Sequence, residues 1–154
     1  MLKTSQLVPI ENVDAEMIEF EVNSIDYVSF FAHASDYLDI HTKEQLEEQI
    51  GFDLPDETYQ FKFDTLENVT AEKFFYTFTP PIHKPKHIRE LGNDLESCIK
   101  IHREQRGVEA YYVFAVRKNL YKFYGRILKR KELEYGYRIF EGLGEEGLGY
   151  VVCW

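Results

Sequence analysis

Few residues in this chain have the types and spacings that chemistry demands. His83 and His87 stand four apart, the separation of two metal ligands on one face of a helix, but Pro85 between them opposes regular helix there. Only Glu72 and Glu90 are near enough in sequence to add a third ligand, so the pattern argues against a metal. Cys98 and Cys153 are too few for a disulfide framework, and Cys98 falls on the apolar side of a helical pattern, where a thiol packs as a small hydrophobe. No Gly-x-Ser-x-Gly occurs, so no nucleophile elbow is built. The carboxylates are too numerous for an acid/base pair to be picked by spacing. Two cationic features remain. Lys84, Lys86, His87 and Arg89 precede or open a helix, whose unpaired N–H groups and dipole attract phosphate. Arg117, Lys118, Lys122, Arg126, Lys129, Arg130 and Lys131 then place seven positive charges in fifteen residues.

The surrounding charge restricts what these cations do. Residues 11–64 hold fifteen Asp and Glu against Lys43 and Lys62, a net of −13, and the whole chain carries −9. Such a field repels a nucleic-acid backbone at long range, so nucleic-acid binding is disfavoured. No apolar run nears the ~18 residues of a membrane span, and the first ten residues lack the apolar core of a signal peptide. Two cysteines in 154 residues suit a reducing cytoplasm. Aromatic residues make up 16% of the chain, enough apolar area to order one domain over residues 1–154.

The elements that must position these residues are legible from period and punctuation. Met17–Val22 alternates apolar and acidic residues as a half-buried strand. Asn23 or Ser24 then caps a helix with Ile25, Val28, Phe31 and Leu38 on one face. Thr42 with Gln45 reads as a capping box for a helix from Lys43 to Ile50, stopped by Gly51. Tyr59–Phe63 and Phe74–Phe78 read as strands, the second ended by Pro80 and Pro81. A long helix follows from Lys86 or Arg89 to Arg106, with Gly107 at its C-terminus. Ala110–Val116 is a buried strand, Leu120 to Leu128 the apolar face of a helix, and Tyr137–Phe140 and Leu148–Trp154 two final strands joined through Gly142, Gly144 and Gly147. Helices interleaved with strands give an α/β class, three layers with a mixed central sheet and helices on both faces.

Three motifs narrow this order. Arg89-x-x-Gly92 opens the long helix, Asn119 precedes the Phe123-Tyr124 pair in the next helix, and Gly136-Tyr137 follows the charged insertion Lys129–Glu132. Together with the element order, best from Phe74 to Trp154, they resemble the GNAT superfamily of N-acyltransferases. The resemblance implies acetyl-CoA bound where two parallel strands part, with Phe78 and Thr79 at the strand end. It implies Lys86, Arg89, Leu91, Gly92 and Asn93 around the pyrophosphate, and Asn119 on the following helix. Tyr124 takes the general-acid role, protonating the departing thiolate from the gap between Phe74–Phe78 and Tyr111–Val116. The acceptor is an amine, on a small molecule or a protein. Asp94 departs from the pattern, standing where Gly or Ala belongs beside the phosphates. A second reading follows from that departure: the fold is kept, catalysis is lost, and the acidic N-terminal half binds a basic protein partner.

Overall fold

Asn23 and Ser24 both adopt positive φ, 48° and 66°. Two consecutive left-handed residues make the tight turn whose twist suits a β-hairpin. The strands on either side are β2 (Ala15–Val22) and β3 (Ile25–His33). The helix expected over Ile25–Leu38 is therefore a strand as far as His33, with only Ala34–Tyr37 helical. Its apolar spacing misled because Tyr27, Val28, Ser29, Phe31 and Ala32 are buried on both strand faces, and a run buried on both sides satisfies a helical period as readily as a strand's. The β-branched and aromatic run from Ile25 to Phe31 decides for the strand.

The computed structural model describes residues 1–3, 7–9, 15–70 and 84–154. The expected strand Phe74–Phe78, with Phe78, Thr79 and His83, lies outside them. The remaining elements are β1 (Val8–Pro9), α1 (Ala34–Tyr37), α2 (Ile40–Ile50), β4 (Thr58–Thr65), α3 (Leu66–Thr70), α4 (Pro85–Arg106), β5 (Ala110–Phe114), α5 (Lys118–Tyr135), β6 (Arg138–Leu143) and β7 (Gly149–Cys153). Hydrogen bonding orders the strands β1-β2-β3-β4-β5-β7-β6 in an open mixed sheet, with β4 and β5 parallel. The class is α/β. The cap of α2 is Asp39, three residues before the expected Thr42, whose N–H donates to the Asp39 carboxylate at 2.9 Å. Residues 129–132 are the interior of α5, which runs to a left-handed cap at Gly136.

The chain divides into two compact units, Met1–Phe31 with Lys62–Arg106, and Ala32–Phe61 with Gly107–Trp154. In the first, α4 buries one stripe: His87, Leu91, Leu95, Cys98 and His102. Its partners stand on alternate positions of β3, with Tyr27 bonded to His87 and Phe31 stacked on His102 at 4.1 Å. In the second, Ala34, Leu46 and Ile50 pack with Ala110, Tyr112, Val151 and Cys153. The intervening β7 residue Tyr150 instead stacks on Tyr121 of α5 at 4.5 Å. Since side chains alternate across a strand, α2 and α5 cover opposite faces of β5 and β7. That unit has three layers.

Candidate functional site

The parallel pair defines the candidate site. Register between β4 and β5 covers three pairs, Thr58 with Ala110, Tyr59 with Tyr111 and Gln60 with Tyr112. It stops there, although β5 continues through Val113 and Phe114, which pair on their other side with Tyr150 and Gly149 of β7. Parallel strands carry ligands beyond their carboxyl ends, where neighbouring connections diverge. Among the described residues the parallel neighbour of β5 is β4; the expected Phe74–Phe78 lies outside them.

Aromatic residues line both faces of this part of the sheet. Tyr124, buried on α5, meets the ring of Phe61 edge-on at 6.1 Å, and Phe61 is the first residue past the last paired position. Tyr112 is buried at that last position, and its hydroxyl has no hydrogen-bond partner among the described residues. Burial pushes its pKa up, so it stays a neutral phenol. Tyr121 is held by three contacts: its stack on Tyr150, the Tyr150 hydroxyl donating to its carbonyl at 3.0 Å, and Gly142 N–H donating to its own hydroxyl at 3.0 Å. Gly125 makes this arrangement possible, because a Cβ there would overlap the Tyr150 hydroxyl.

The helix that carries Tyr124 begins close behind β5. Arg117 is its N-cap, in extended conformation, and makes no side-chain cap bond. First-turn amides without a cap attract anions, and Arg117 and Lys118 add positive charge to the same end. Asn119 lies exposed in this turn, five residues before Tyr124.

The segment expected to cradle pyrophosphate is built differently. Helix α4 starts at Pro85, and Ile88 N–H already donates to the Lys84 carbonyl at 3.1 Å. The amides of Leu91, Gly92 and Asn93 therefore lie one to two turns inside the helix, spent on its own ladder. Leu91 and Gly92 are buried, Arg89 and Asn93 are exposed, and the exposed Lys86 faces Glu90 at 3.9 Å. His87 supplies no cation: it is buried between the Tyr27 hydroxyl at 2.7 Å and the Asn23 amide at 3.2 Å, and burial lowers its pKa. The Asp94 carboxylate accepts from the Met1 amino group at 2.6 Å.

Elsewhere the chemistry is closed. Burial pushes the Cys98 thiol up to about 12 and raises that of Cys153, so neither is a ready nucleophile. Among the described residues no group of three or more His, Cys, Asp or Glu side chains is arranged to hold a metal ion, and no helix is long and apolar enough to cross a membrane. A cavity of about 560 Å³ in the first unit is lined by Ser24, Ile25, Asp26, Thr65, Leu66, Glu67 and Thr70, none of them a candidate site residue. Sequence reasoning missed Phe61 and Tyr112, which read as ordinary strand residues. Gly125 did carry a signal, as a lone glycine inside a helical pattern. Searches of protein-family models, of curated proteins and of solved structures gave no match to this chain.

Proposed function

We propose that this chain is a diverged acyl-CoA-dependent N-acyltransferase whose reacting centre is the end of the β4–β5 pair. The observation that carries the reading is the short parallel register, which stops at Gln60 and Tyr112. Past it, the edge of β5 at Val113 and Phe114 suits an extended ligand arm bearing amide groups, as an added strand would. The donor set for a pyrophosphate fits the start of α5, with its uncapped amides, Arg117 and Lys118, better than the interior of α4. Acetyl-CoA, when bound, supplies an activated acyl thioester. Tyr124 would give its hydroxyl proton to the departing sulfur and recover one from the attacking amine, and Asn119, on the same helix, would orient the ligand.

Thermal unfolding with and without acetyl-CoA tests this. A ligand at ~100 times its Kd adds about 2.7 kcal/mol of stability. The reading requires a raised Tm in the wild type, the same rise in Tyr124→Phe with loss of turnover, and a smaller rise in Arg117→Glu. An unchanged Tm at about 1 mM ligand overturns it. The second reading, a binding module without catalysis, is favoured by one observation: the Gly92 and Asn93 amides are enclosed in α4 and not presented to a phosphate.

A further inference from the structure

The two helical layers of the second unit carry opposite charge. The outward stripe of α2 reads Ile40, Glu44, Glu48, one exposed residue per turn, with Asp36 and Tyr37 just before it. The outward stripe of α5 reads Lys118, Lys122, Arg126, Arg130 and, a turn further, Leu133, again all exposed. No hydrogen bond or ion pair among the described residues engages Glu44, Glu48, Lys122 or Arg126. Like charges four apart destabilise a helix, so each stripe is an internal cost that an opposite charge would relieve. Large exposed hydrophobics follow the same division. Those of this unit are Tyr37 and Ile40 at the start of α2, and Val116, Leu133 and Tyr135 on or beside α5. Leu133 is 98% exposed and Ile40 74%.

Because α2 and α5 cover opposite faces of β5 and β7, the stripes cannot meet within one copy. We propose that they meet between copies, α2 of one molecule docking antiparallel on α5 of a second molecule of this chain. The register supports that occupant. With Ile40 set against Leu133, Glu44 lies about 6 Å along α2 and Arg130 about 5 Å back along α5. Glu48 then lies about 12 Å along, opposite Arg126 at about 10 Å. A parallel arrangement would seat Ile40 on Lys118 and leave Leu133 uncovered. The two patches differ, so the contact is heterologous: each copy keeps one unused patch of each kind, and assembly proceeds to a ring or an open chain. The net charge of −9 opposes approach at long range, but screening near physiological salt removes most of that while leaving contact pairs in force.

Sedimentation of the full chain over a dilution series tests this. The average mass should rise with concentration at about 0.1 M salt and return to that of one chain at about 1 M. Glu44→Lys with Glu48→Lys, and Arg126→Glu with Arg130→Glu, should each weaken association at least about tenfold. All four positions are exposed, and unchanged thermal melting verifies the fold. Mixing the two variants should restore association, since the reversed α2 of one now matches the reversed α5 of the other. A wild type that stays monomeric at both salts overturns the proposal and makes some other charged protein the occupant of these faces. So does association that neither variant weakens, or a mixture that fails to restore it.

Discussion

The two units differ in the polar groups they bury. The first buries polar groups: Ser29, Asp64, Thr65, His87 and His102 are all buried there. Two of them are bonded to neighbours: Asp64 accepts from Thr65 N–H at 2.8 Å and from Asn68 at 2.9 Å, and His87 is bonded to Tyr27. The second buries an apolar cluster of Ala34, Leu46, Ile50, Leu54, Ala110, Leu143, Val151 and Cys153 around the Tyr112 ring, and sends its charges outward along α2 and α5. Buried polar groups specify an arrangement but make it conditional on protonation state. Outward charges govern what approaches.

The largest test concerns the cores themselves. Leu95→Ala in the first unit and Leu46→Ala in the second each remove a side chain with no exposed surface, at an expected loss of about 2–5 kcal/mol. Urea unfolding followed by two probes reads the result. One shared transition in both variants means that the units stand or fall together, and two separated transitions mean that they do not.

Acid should then tell the units apart. His102 is fully buried against Phe31, and burial brings its pKa down to about 3. Its folded pKa lies below the unfolded value, so the unfolded chain binds the extra proton between about pH 6.5 and pH 3. Stability is therefore full above pH 6.5 and falls as pH drops through that window, by up to about 1.4 kcal/mol per unit. His102→Gln should flatten this slope in urea titrations at successive pH values. An unchanged slope would place the acid sensitivity in other groups.

A smaller effect is expected at Gly149, in the second unit. A Cβ there would stand 2.8 Å from the Leu143 carbonyl and 2.9 Å from the Phe114 ring. Gly149→Ala should cost about 1–3 kcal/mol in denaturant unfolding, with no pH dependence, in contrast to the first unit. Smallest is the loss of the α2 cap. Asp39→Ala removes bonds to Thr42 N–H and Oγ, at about 1 kcal/mol, and should fray the helix whose stripe is the acidic half of the proposed contact.

What the sequence made legible follows from how local each signal is. Alternation marked β2 and β4, a continuous apolar run marked β5, and glycines at positive φ marked the ends of α2 and α4. Those signals need only neighbours along the chain. The Ile25–His33 strand was hidden, because burial on both faces erases the period that separates strand from helix. The site was hidden for a different reason. Tyr124 was singled out through a motif, but its partner Phe61 comes from a strand sixty residues earlier, and pairing between distant strands leaves no mark on either sequence. Arg89 and Gly92 show the converse: their spacing fits a phosphate loop, and only the start of α4 at Pro85 places them inside a helix.

The position of β7 has a consequence for how this chain is made. It follows β6 in sequence but lies between β5 and β6 in the sheet. On the ribosome, β5 and then β6 emerge with no partner between them, and neither edge is closed until Gly149–Cys153 has been synthesised. A chain stalled after Leu143 would therefore expose two unpaired strand edges, the condition under which nascent chains most readily associate with one another. The turn from Gly144 to Leu148 sets how soon that exposure ends. Lengthening it should leave the finished protein nearly as stable, since loop closure costs little per added residue, while lowering the yield of soluble chains during synthesis.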